Sequence, residues 1–262
     1  MSRDDGLASR ASALRTVLAP AQRFSHLTAA ELHGMRLPEG VRRAIHVTGR
    51  GVARGVRRPG VIGHRSSLPV TPVRIAGLPV SPLLIAWAEC AELLTVEELV
   101  VVGDGLVRRR DPPATVGELE HVVRSRGSRR GAARLRAALD LIRPGTDSAR
   151  ETMLRLAVLG AGFPAPEVNA PLLDDRGTVV AHGDLVWPRE RVVLEYDGRH
   201  HAEDARQFAI DIRRLDDIAA AGYRVVRIDR RLFQNRADLF RRIANARAAG
   251  SRGVANGDAS DS

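Results

Sequence analysis

Three runs with the character of β-strands follow one another in the second half of the chain: Glu167 to Leu173, Thr178 to Trp187 and Arg191 to Asp197. The last two read as a hairpin, because Trp187-Pro188 ends one apolar stretch and Val192-Val193-Leu194 opens the next. A helical pattern precedes the three runs. Asp147 or Ser148 can cap it, Met153, Leu154, Leu156, Ala157 and Leu159 have helical spacing, and Gly160 and Gly162 suit its stop. After the hairpin, a helix from about Ala205 to Ala221 carries Ile210, Leu215, Ile218 and Ala219 inward and leads to a strand, Tyr223 to Ile228. A helix over about Arg231 to Ala246 closes the set. The order is αβββαβα. Its last strand arrives by a helical crossover and therefore pairs in parallel with an earlier strand, which gives a central mixed sheet.

The hairpin also carries the chemistry. It brings Asp184 and Glu195 near one end of the sheet, and Glu195 and Asp197, two apart, point the same way. Three carboxylates gathered beside a buried strand repel one another and are costly to desolvate, so a cation belongs among them. A hard divalent ion with oxygen ligands, Mg²⁺ or Mn²⁺, is the simplest candidate.

The first half reads as a smaller mixed α/β domain over residues 9–110. Ser25 can cap a helix from about Thr28 to Gly34, and the runs Ala44 to Gly49 and Pro59 to Arg65 are β-like. An apolar helix through Trp87 and Cys90 then gives way to an acidic turn and a short β-like run ending near Val107. Residues 111–146 read as a helical linker with a basic turn at Gly127 to Gly131. The second domain spans 147–247. The residues up to Ala8 and a small, polar, Gly-rich stretch from about Ala246, with a tail over 248–262, read as disordered.

Aromatic residues make up only 3% of the chain, so its cores must be built from Val, Leu, Ile and Ala. Cys90 is the only cysteine, which excludes a disulfide within the chain and fits a reducing cytoplasm; its apolar helical context marks it as core filler. The opening residues lack the apolar core of a secretory signal, and no run reaches membrane-spanning length. His26, His33, His46 and His64 are spread among turns without ligand spacing, which argues against a zinc site.

The formal net charge is +10, and all 41 basic residues are arginine. A GC-rich genome accounts for part of that bias, but not for the excess over the acids. A polyanionic partner is expected, and the planar guanidinium fork suits phosphate.

The element order, with Arg150-Glu151 in the first helix, Gly183 to Pro188 in the second strand and Leu194-Glu195-Tyr196-Asp197-Gly198-Arg199-His200-His201 after the third, resembles the PD-(D/E)XK nuclease superfamily. Within it, the chain looks like the restriction-endonuclease-like enzymes related to very-short-patch repair endonucleases. That resemblance implies a metal-dependent endonuclease that hydrolyses DNA phosphodiester bonds. Asp184 and Glu195 would be the ligands of Mg²⁺ or Mn²⁺, and Asp197 stands where the superfamily usually has lysine, which this chain lacks altogether. Asp197 would bind metal or orient water, His200 or His201 would act as base or phosphate contact, and Glu151 would complete the site. Arg199, Arg213, Arg214 and Arg227 would contact DNA, although Arg214 and Arg227, with Asp211, match positions equally suited to structural ion pairs. The missing lysine keeps open a different class of function, a DNA-binding, antitoxin-like regulator with a degenerate nuclease fold. Phe24 to Pro38, Ala44 to Gly49, Arg58 to Arg65 and Val100 to Val107 resemble AbiEi-type regulators of type IV toxin–antitoxin systems, which implies a protein or DNA partner for the first domain. Too little chain precedes Phe24 for the winged helix that those proteins carry there.

Overall fold

The computed structural model describes residues 5–41, 44–50, 59–197 and 205–258. The chain is mixed α/β and divides into two compact units between Pro144 and Gly145.

The first unit runs α1 (Asp5–Arg15), β1 (Gln22–Phe24), α2 (His26–Leu32), β2 (Ile45–Arg50), β3 (Val61–Ser66), β4 (Val73–Ile75), β5 (Leu78–Val80), α3 (Leu83–Cys90), α4 (Val96–Leu106), α5 (Val116–Arg126) and α6 (Ala132–Leu141). Its sheet has the order β3-β2-β1-β5-β4, with β2 parallel to β3 and β1 antiparallel to β2. Phe24, Val47 and Val80 from this sheet pack with Leu7, Ala11 and Leu14 of α1 in an apolar core. That packing explains why ordered helix begins at Asp5, within the stretch expected to be disordered.

Two other expectations change here. Residues 100–106 lie in the body of α4, not in a strand, and Val107 caps its end. Thr95 and Glu98 close a capping box at its start, and Leu99 to Leu106 are buried on every side, so burial overrides the β preference of the valine run. Helices α5 and α6 are not a free linker. They contact α3 and α4 and bury Leu119, Leu135 and Ala138 in the first unit. Gly103 admits this packing, since a Cβ there would lie 2.3 Å from Ile142 Cδ1.

The second unit runs α7 (Ala149–Gly160), β6 (Glu167–Leu173), β7 (Val179–Trp187), β8 (Val192–Tyr196), α8 (Ala205–Ala220), β9 (Arg224–Ile228), α9 (Arg230–Gln234) and α10 (Arg236–Asp258). The sheet order is β6-β7-β8-β9, antiparallel except for the parallel pair β8 and β9. This is the mixed sheet that the crossover argument expects. One face buries Leu185, Trp187 and Leu194 with Leu154 and Val158 of α7 and Leu239 and Ile243 of α10; the other buries Val186 and Val193 with Ile218 of α8. Ala219, expected inward, is exposed, and the side chain of Ile210 lies outside the described residues. The closing helix is split at Asn235, and α10 runs to Asp258 where disorder is expected. Arg247 pairs with Glu190, and Gly250 lies so close to the Glu190 carbonyl that a Cβ would come within 1.9 Å of its oxygen. Among the described residues, no helix is long and apolar enough to cross a membrane.

Gly183 sets the packing beside the acidic end of β7. A Cβ there would meet Val193 Cγ2 at 2.2 Å and Val186 Cγ2 at 2.9 Å. Gly183→Ala should cost about 1–3 kcal/mol of stability through overpacking, measurable by urea unfolding.

Candidate functional site

The β7–β8 ladder reaches Leu185 opposite Leu194, and Asp184 and Glu195 follow immediately. Asp184 extends the pairing with its side chain: the Tyr196 backbone N–H donates to Asp184 Oδ2 at 2.8 Å. Burial pushes the Asp184 pKa up to about 6, against the pull of that hydrogen bond; the charges of Glu151 and Glu195 raise it further, and Arg214 opposes them. Asp184 is thus a carboxyl whose burial, more than its charged neighbours, resists ionisation.

Glu151 is buried, at 7% exposure, in the first turn of α7. Ser148 caps this helix by accepting from the Glu151 N–H at 3.2 Å, and Glu151 Oε2 accepts from the Asp147 N–H at 2.8 Å. Asn169 also reaches Glu151 Oε2, at 3.4 Å, and donates to the Gly145 carbonyl. Its φ of 48° lies in the left-handed region, a strained conformation of the kind concentrated at functional sites. Sequence reasoning passed over Asn169; an asparagine inside a strand run is the signal that was available.

Glu195 is held by α8. Arg214 donates to Glu195 Oε1 at 2.6 Å and Oε2 at 3.2 Å, and to the His182 carbonyl at 2.6 Å. Asp197 pairs instead with Arg227, at 2.5 Å, beside a separate pocket of about 530 Å³ lined by Asp229, Asp238 and Arg242. The reason is register: Arg227 sits opposite Glu195 on the parallel strand β9, within reach of the next acid along β8. Of the three acids expected together, Asp184 and Glu195 lie side by side at the end of the β7–β8 ladder, Asp197 is engaged by Arg227, and Glu151 acts on Asp184 through its charge. Arg213 is exposed on α8, free of the Glu195 pairing that occupies Arg214. Arg199, His200 and His201 lie outside the described residues, as does the side chain of Asp211. Tyr196 packs toward Phe233 in the core and receives the Arg150 guanidinium at 5.6 Å from its ring centroid.

Donor chemistry suits a hard cation, since every acid of the cluster offers oxygen. Among the described residues, however, the only group of three His, Cys, Asp or Glu side chains whose donor atoms lie within 4.8 Å of one another is in the first unit: His26, His64 and Glu92. The histidines that look scattered in sequence are assembled by β2, β3 and α2, with burial lowering the pKa of His46 and of His64 to about 4, helped by the nearby His26. Cys90 is buried, and burial pushes its thiol far above the reactive range, as expected of core filler.

Neither a model of a known protein family nor a curated protein matches the chain.

Proposed function

We propose that the second unit is a restriction-endonuclease-like domain, and that the protein is a metal-dependent endonuclease hydrolysing phosphodiester bonds in DNA. The observation that carries this reading is Asp184, a half-buried carboxyl beside Glu195 at the end of the β7–β8 ladder, pushed up to about 6 by burial and, to a lesser degree, by the charges of Glu151 and Glu195. A half-buried carboxyl that resists ionisation beside two further acids repels DNA unless a cation enters, so a binding module has no use for it. The αβββαβα order and the net charge of +10 support the same reading.

Asp184 and Glu195 would hold Mg²⁺ or Mn²⁺, with Glu151 as the third acid. The ion supplies charge neutralisation at the scissile phosphate and makes water a better nucleophile. Arg214, held between Glu195 and the His182 carbonyl, is placed to meet a phosphate at the edge of the site. Arg213, exposed on the same helix, positions the backbone without reading sequence. Asp197 cannot stabilise charge as an ammonium would. Its role is to keep Arg227 at the site's border and to orient water.

One observation favours the regulator instead: Glu195 and Asp197 are each satisfied by an arginine, which a purely structural domain also achieves. Supercoiled plasmid incubated with the protein in Mg²⁺, Mn²⁺ or EDTA separates the two. Nicking in either metal and none in EDTA is expected. DNA binding without cleavage in every condition supports the regulator.

A further inference from the structure

We propose that the first unit contains a transition-metal site of the zinc class, built from His26, His64 and Glu92 and separate from the carboxylate cluster of the second unit. His26 is 2% exposed, its Nε2 has no partner within hydrogen-bond distance and meets only the Glu92 carboxylate at 3.8 Å, and with His64 and Glu92 the residue lines a pocket of about 660 Å³. An unsatisfied buried ring nitrogen is costly, and a cation bound there removes the cost.

The supporting contacts are those of an oriented ligand set. His26 Nδ1 lies 2.9 Å from Ser25 Oγ, which accepts from Thr48 Oγ1 at 2.7 Å, so the ring is held by its Nδ1 side and Nε2 is left on the side of Glu92. His64 Nε2 lies 2.9 Å from His46 Nδ1, and Glu92 is held by Arg126 at 2.6 Å. Fixing the second nitrogen of a ligating histidine in this way orients the ring. His26 Nε2 and Glu92 Oε2 are 3.8 Å apart, close to the roughly 3.4 Å that separates two donors on a tetrahedral zinc ion. The His26 and His64 rings stack with centroids 3.6 Å apart. A shared ion must lie near both ring planes, so binding opens this stack.

Two histidines and one carboxylate leave a fourth position open, as in catalytic zinc sites. Here that position faces a pocket lined by Arg65, Arg126, Arg129 and Arg130 with Ser66 and Ser125. A small anion of the phosphate type is the ligand that such a wall admits beside the ion.

The full chain, stripped of metal, is titrated with Zn²⁺, and Co²⁺ is used as a spectroscopic stand-in. One tightly bound ion with tetrahedral Co²⁺ bands is expected in the wild type and in Asp184→Asn. His64→Ala, on the edge strand β3, and Glu92→Gln should each lose about 100-fold or more in Zn²⁺ affinity. Glu92→Gln keeps the proposal testable should His64→Ala fail to fold, a point checked by circular dichroism. Absence of Zn²⁺ binding by the wild type, undiminished binding by folded His64→Ala and Glu92→Gln, or loss confined to Asp184→Asn overturns the site. Inorganic phosphate should change the Co²⁺ spectrum; an unchanged spectrum overturns the anion at the open position.

Discussion

Replacement of Asp184 by asparagine is expected to lower metal-dependent nicking by ~10³-fold or more while making the metal-free protein more stable. Asparagine keeps an oxygen that can accept from the Tyr196 N–H, so the strand end stays intact. It removes the charge that Glu151 and Glu195 repel. The sign follows from linkage. The Asp184 carboxyl titrates near 3.8 when exposed and at about 6 in the folded chain. The folded state therefore binds the proton more tightly, and stability declines as pH rises from about 4 to about 6, remaining lower above that range. After allowance for partial exposure, the asparagine variant should gain about 1–3 kcal/mol at pH 7 and lose the downward slope of stability with pH. Urea unfolding at pH 4.5 and pH 7, as two operating conditions on the order of that window, reads both quantities. A variant that is less stable than the wild type at pH 7 would mean that Asp184 is a structural acceptor and not a charge held for a cation.

Arg23→Ala is the second substitution with a large expected effect. Arg23 and Glu89 form an ion pair at 2.7 Å with side chains 4% and 6% exposed. Ser81 joins them, accepting from Arg23 Nε at 2.8 Å and donating to Glu89 Oε2 at 2.8 Å. Removing the guanidinium leaves a buried carboxylate without its counterion, a loss of about 3–5 kcal/mol. Glu89 Oε2 also accepts from the His26 backbone N–H, at 3.4 Å, so the same change loosens the chain at the histidine cluster. The double replacement Arg23→Met with Glu89→Leu should recover most of the stability, because an apolar pair of similar bulk needs no partner. A small loss in Arg23→Ala, below about 1 kcal/mol, would show that the carboxylate reaches solvent or takes up a proton cheaply.

The second unit was the more legible in sequence because its signals are local. Pro188 stops one strand, Val192 starts the next, and a short hairpin leaves little freedom in register, so Asp184 and Glu195 had to meet. The pairing of Asp197 was not legible for the opposite reason: its partner, Arg227, arrives through a crossover, and parallel register cannot be read from spacing. The same limit hid the histidine cluster. His26, His46 and His64 are far apart in sequence and meet only because β2 and β3 pair in parallel beside α2. In α4 the run Val100 to Val102 carries a strand preference that only burial on all sides reverses.

Mn²⁺ binding, followed by electron paramagnetic resonance in His64→Ala, tests the central claim most directly, because that background removes the histidine site and leaves the carboxylate cluster. The account predicts one bound ion that is lost when Asp184→Asn or Glu195→Gln is added. Mn²⁺ binding that both added substitutions leave unchanged, or no binding at all, would contradict a catalytic metal site at Asp184 and Glu195.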